Sequence, residues 1–185
     1  MAKGVRKISC NMVPLWNEYF PKAAHKIDTS AYHTYSECNK PKVVYFPSCI
    51  TRSMGVTKSY SKELEITRLT EKLLRKAGFE IIYPENMNKL CCGMAFSSKG
   101  YVEAGQKASD QLEAALVKAS NNGEYPILCD MSPCLYTMRS NMEGLKLYDP
   151  SGFIMEYMVD RLKITPTDEK IAVFGDYDVD GITAT

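Results

Sequence analysis

Seven cysteines punctuate the 185-residue chain: Cys10, Cys38, Cys49, Cys91, Cys92, Cys129 and Cys134. Cys91 and Cys92 are adjacent in LCCGMAF (residues 90–96) and are followed by Gly93. Neighbouring Cα atoms across a trans peptide lie about 3.8 Å apart, whereas an unstrained disulfide spans about 4.4–6.8 Å. A Cys91–Cys92 bridge would therefore be strained and readily reduced, as in a thiol redox sensor. Two thiolates converging on one metal centre make better use of the pair, and a glycine lets the backbone turn sharply beside such a centre. The plainer alternative is two small buried neighbours, and the pair alone does not decide.

Composition narrows the classes of function. Hydrophobic residues make up 45% and charged residues 24%, ordinary values for a globular domain. The length suits one domain with a core of its own and is short for two. No run approaches the roughly 18 apolar residues of a membrane span, and the start MAKGVRKISCNMVPLWNEYF lacks the apolar segment of a signal peptide. A cytoplasmic location is expected, where thiols stay reduced and seven cysteines point to metal or redox chemistry. With 23 Lys/Arg against 22 Asp/Glu the net charge is +1, so no nucleic-acid partner is expected. Residues 1–60 hold nine basic and three acidic side chains and the remainder 14 and 19. Such a basic head could meet an acidic partner, although a solvated surface is the simpler reading.

The elements that must position these thiols read as α/β. Residues 1–41, interrupted by Pro14, Pro21 and Pro41, read as an irregular connector anchored by Trp16, Tyr19 and Phe20. KVVYF (42–46) reads as a strand. Residues 61–78 read as a helix, with Ser61 as N-cap, Glu63 and Glu65 near its start, Ile66, Leu69, Leu73 and Ala77 as its apolar stripe, and Gly78 at its end. FEIIY (79–83) is a second strand. Residues 101–120 are a second helix, with Val102, Ala108, Leu112, Ala115, Leu116 and Ala119 as its apolar positions and Asn122-Gly123 stopping it. YPILC (125–129) is a third strand, LKLYD (145–149) a short fourth, residues 152–163 a third helix and KIAVF (170–174) a last strand. The alternation predicts a small open parallel sheet with flanking helices.

On that frame Cys49, the Cys91–Cys92 pair and Cys134 each follow the carboxyl end of a strand, where open α/β sheets build their sites. Forty-one residues separate Cys49 from Cys91, and 41 separate Cys92 from Cys134. Each interval holds about one helix and one strand, which returns the chain to the same sheet edge. Cys10, Cys38, His25 and His33 read as bystanders.

FPSC (46–49), LCCGMAFSSKGY (90–101) and DMSPC (130–134), in that order, resemble the cysteine-rich CCG domain. This domain occurs in heterodisulfide reductase, in the iron–sulfur subunit of glycolate oxidase and in lactate-utilisation iron–sulfur proteins. The closest resemblance is to the C-terminal region of FAD-linked oxidases of the D-lactate dehydrogenase type, and it covers about residues 5–172. It implies a 4Fe-4S-type iron–sulfur cluster, non-cubane in some members, held by Cys49, Cys91, Cys92 and Cys134 beside Gly93, with the adjacent cysteines serving neighbouring irons. Some members end the motif with CxxC, where this chain has Met131. Cys129 is a candidate fifth ligand, though a buried strand residue is the preferred reading. The partners implied are a flavin dehydrogenase domain or subunit carrying FAD and a downstream electron acceptor. One CCG motif, without the ferredoxin-like cysteines or the flavin domain, reads as a fragment that does not turn over substrate alone.

The tail, IAVFGDYDVDGITAT (171–185), carries Asp176, Asp178 and Asp180 before Gly181. An EF-hand loop would need its closing carboxylate at about position 187 and a preceding helix. The segment instead resembles the first motif of DHH-family, RecJ-type exonucleases, whose carboxylates bind divalent metal. The preferred functional reading is a flexible acidic terminus, and residues 173–185 are expected to be a foreign or truncated tail after a CCG domain over 42–172, a hypothesis that one continuous parent gene of either family would refute. The rival functions are a structural zinc site on the same thiolates and a fragment of a DHH-family single-strand nuclease.

Overall fold

The computed structural model describes residues 19–27, 40–57, 65–163 and 165. The last expected strand, the acidic tail with Asp176, Asp178 and Asp180, and Cys10, Cys38, His33, Trp16, Ser61 and Glu63 lie outside these residues.

In chain order the elements are β1 (Pro21–Ala23), β2 (Lys42–Phe46), α1 (Cys49–Ser53), β3 (Met54–Thr57), α2 (Ile66–Lys76), β4 (Glu80–Ile82), α3 (Met94–Ser97), α4 (Val102–Ala119), β5 (Ile127–Cys129), α5 (Ser132–Asn141), β6 (Leu147–Tyr148) and α6 (Pro150–Phe153). Four strands form one parallel sheet in the order β4-β2-β5-β6. Val44 pairs with Ile82 on one side and with Ile127 on the other, and Phe46 pairs with Cys129. Val43, Val44, Tyr45 and Phe46 are at most 1% exposed. Both faces of β2 are therefore covered, which is why KVVYF reads as a continuous apolar run rather than an alternating one. Leu112 and Leu116 of α4 and Leu135 and Met138 of α5 join the same core.

Several expectations are corrected. Residues 21–23 of the N-terminal connector, expected to be irregular, form β1 and pair antiparallel with β3. Tyr19 and Phe20, expected as anchors, are exposed at 73% and 45%. The segment is attached through His25, whose Nδ1 lies 2.8 Å from Glu65 Oε1 and whose backbone N–H donates to both carboxylate oxygens. Among the described residues α2 starts at Ile66, with Glu65 as its N-cap. Of the expected stripe Ala77 is buried, whereas Ile66, Leu69 and Leu73 face outward and Thr67 and Leu74 are buried in their place. The helix is rotated by about one residue, roughly 100°. Thr70 and Glu71 are half-buried on the turned face, and Tyr83 donates its hydroxyl to Glu71 at 2.7 Å. Val102 of α4 is likewise exposed, and Gly105, Ser109, Leu112 and Leu116 make its inward face. The expected third helix begins two residues early, because Asp149 caps it by accepting from Gly152 N–H and Pro150 suits a first helical turn. It then widens into a π-turn over Ile154–Met158 and a 3₁₀ turn over Val159–Arg161. No helix among the described residues is long and apolar enough to cross a membrane.

Candidate metal centre

The sheet order defines where a site can form. From β2 the chain crosses to β4 on one side, and after β4 it returns to place β5 on the other. Connections leaving β2 and β5 diverge, and a crevice opens beyond their carboxyl ends. Cys49 is the first residue of α1, just after β2, and Cys134 lies in the first turn of α5, just after β5. Ser48 caps α1, its Oγ accepting from Thr51 N–H at 3.3 Å. Its own N–H donates to Asp130 Oδ1 at 2.8 Å, while Tyr45 donates its hydroxyl to Asp130 Oδ2 at 3.2 Å. Asp130 thus latches the loop of Cys49 to the loop of Cys134.

The third loop follows β4. Asn86 turns the chain with φ 54°, a short 3₁₀ turn spans Met87–Lys89, and Leu90 leads into the paired cysteines. Gly93, at φ 87°, caps α3. A Cβ at Gly93 would lie 2.9 Å from the carbonyl carbon of Gly105 and closer still to its oxygen. Only glycine allows both the left-handed turn and this approach to α4. Gly93 N–H points at Cys91 Sγ from 3.5 Å, and Met94 N–H donates to the thiol of Cys92. Arg52, from the last turn of α1, ties this loop to the first: Nε donates to the carbonyls of Pro47 and Ser48, and the terminal nitrogens to those of Met87 and Leu90.

Around this edge the thiols form two pairs of unlike exposure. Cys49 is exposed and Cys91 half-buried. Both line an open cleft of about 440 Å³ with Arg52, Lys89 and Phe96. Cys92 and Cys134 are 3% and 5% exposed, and each shifts the other's titration. The adjacent cysteines differ in burial, Cys91 half-buried at the cleft and Cys92 buried, while their thiols still act on each other. Interaction with Cys134 holds the Cys92 thiol below its ordinary range, and the same interaction with burial holds the Cys134 thiol above its own. Burial pushes Cys91 upward.

Cys129, on β5, is fully buried, and burial pushes its thiol up to about 12. Its Sγ donates to Met131 O at 3.8 Å. That environment suits a protonated core thiol better than a ligand. Among the described residues no three His, Cys, Asp or Glu side chains are gathered as for one metal ion. A tetrahedral zinc site would need its thiolates about 3.8 Å apart, given Zn–S near 2.3 Å. Thiols from three loops, two N–H groups aimed at sulfur and a cationic rim are the donor chemistry of a thiolate-bound metal or iron–sulfur centre.

The four motif cysteines and Gly93, expected from the sequence, thus come to one sheet edge. The roles of Arg52, Asp130 and Ser48 were not anticipated: Ser48 and Asp130 lie within the FPSC and DMSPC segments without marking a latch, and Arg52, three after Cys49, carries no periodic or motif signal. The structure defines a cysteine-rich α/β domain with a thiol-lined crevice at its switch point. The family model for the CCG cysteine-rich domain matches residues 43–139, more than half of the 185-residue chain. The chain belongs to that family, and its cysteine-rich domain is consistent with metal or iron–sulfur binding. No curated protein and no solved structure matches it significantly.

Proposed function

We propose that Cys49, Cys91, Cys92 and Cys134 hold one four-iron iron–sulfur cluster and that the domain carries electrons for a flavin-linked oxidoreductase of 2-hydroxy acids, of the D-lactate or glycolate type. The observation that carries this reading is that thiols from three loops meet at one sheet edge, with Cys91 on the open cleft and its neighbour Cys92 buried. A single ion would draw both sulfurs to one point, whereas a multi-iron centre takes them at separate metals. When bound, such a cluster supplies one-electron transfer. The chain's own residues do the rest. Cys92 and Cys134 fix the buried side, and Cys49 and Cys91 face the cleft through which a partner approaches. Gly93 and Met94 direct N–H groups at sulfur, which stabilises thiolate and tunes potential. In this reading FAD resides on a partner domain or subunit, the acceptor is a second partner, and the location is cytoplasmic.

Iron and acid-labile sulfide on anaerobically purified protein, with an electron paramagnetic resonance spectrum of the same sample, test the proposal. About four of each per chain is the expected result. Zinc without sulfide would replace it with a structural site, and no metal after reconstitution would refute it.

A further inference from the structure

Arg52 has an unusual set of partners. Its guanidinium donates to four backbone carbonyls, two in the loop before Cys49 (Pro47 at 3.0 Å, Ser48 at 3.3 Å) and two before Cys91 (Met87, and Leu90 at 2.5 Å). Phe46 lies under it, with the ring centroid 5.5 Å from Cζ. Among the described residues no carboxylate forms a salt bridge with it. The acidic groups that act on it electrostatically are Cys49, Cys91, Asp130 and Cys134, three thiols of the crevice and the latch between two of its loops. Carbonyls orient a guanidinium without neutralising it. A half-buried cation so fixed is matched by negative charge in the crevice, and four thiolates bring that charge.

We propose that Arg52 is the positioning residue and counter-charge of the thiol crevice, fixing two cysteine loops and holding one cation against the bound anionic centre. The positioning half stands on the geometry alone, and the counter-charge half rests on the iron–sulfur reading above. The planar fork is essential to the first, because a lysine ammonium cannot reach carbonyls of two loops in fixed directions. Charge is essential to the second: a nearby cation favours the more negative, reduced state of a cluster and raises its potential.

Arg52→Lys and Arg52→Gln separate the two. In the metal-free full chain, amide exchange of Lys89 and Leu90, whose N–H groups bond to Asn86 and Met87, is expected to speed up about tenfold in both variants. Exchange at the wild-type rate in both would overturn the positioning role. In the iron-loaded chain, Arg52→Gln is expected to lower the midpoint potential while Arg52→Lys keeps it near wild type. An unchanged potential in Arg52→Gln, or an equal fall in both variants, would overturn the counter-charge role. Thermal melts that stay cooperative show that each variant folds. A wild-type chain without iron would refute the cluster and its counter-charge, and the exchange result would still decide the clamp.

Discussion

Replacing Gly93 by alanine probes the turn that aims the paired cysteines. Gly93 sits at φ 87°, and a left-handed conformation costs an L-residue about 1–2 kcal/mol. The new methyl would also press on the Gly105 carbonyl of α4, with the carbonyl carbon 2.9 Å away. That neighbour is helix backbone, which cannot rotate aside, so overpacking adds about 1–3 kcal/mol. The expected loss is about 2–5 kcal/mol. At this chain length each kcal/mol moves the melting midpoint by about 2–4 °C. Gly78 provides the control: its φ is 85°, and nothing lies within 4 Å of an added Cβ. Gly78→Ala should carry only the left-handed term, about 1–2 kcal/mol. Urea denaturation of the reduced, metal-free chain measures both. Equal losses would show that the Gly93–Gly105 approach contributes nothing, and Gly93→Ala within about 0.5 kcal/mol of wild type would refute the strain argument too.

Asp130→Ala should leave Ser48 N–H without its acceptor, cost about 1–3 kcal/mol in denaturation and lower iron uptake; wild-type values of both would show that the latch does not hold the crevice. Cys92→Ser is expected to remove or convert the cluster and Cys129→Ala to leave iron content and spectrum intact, so equal iron loss in the two would make Cys129 a ligand. The metal-free protein should lose stability as pH rises from about 9 to 12. The folded chain keeps the Cys129 proton until about pH 12, whereas an unfolded thiol releases it above about pH 8.5. That contribution is fully present below about pH 8.5 and is lost as pH climbs to the folded value. Denaturation at a series of pH values should show this slope shrinking in Cys129→Ala, and an equal slope in that variant would assign it to other groups.

How much of this was legible in the sequence differs by element. The strand at 42–46 was, because a strand covered on both faces must be apolar throughout. The crevice was legible as well: three strand ends each followed by cysteine, with equal intervals, place thiols on one sheet edge. The inward face of α2 was not. Ile66, Leu69 and Leu73 have helical spacing, but tertiary packing turned Thr67 and Leu74 inward, and no local propensity records that choice. Helix α5 was hidden for another reason: its buried residues Cys134, Leu135 and Met138 are few and overlap the motif, so no helix is expected there from the sequence. The clamp and latch were invisible because both act through backbone carbonyls and amides, whose positions only the fold fixes.

The place of β5 between β2 and β6 sets a schedule for making the site. During synthesis β2 and β4 can pair as soon as both are made, and the loops of Cys49, Cys91 and Cys92 then exist without a fourth partner. Cys134 arrives only when β5 docks on the free edge of β2 and α5 winds up behind it. Parallel pairing across such an interval is slow, because loop closure must precede contact. For that interval three reduced thiols stand beside an unfinished sheet edge, open to oxidants and to the wrong metal. In the reading proposed above, assembly of the centre must therefore wait for translation past residue 134.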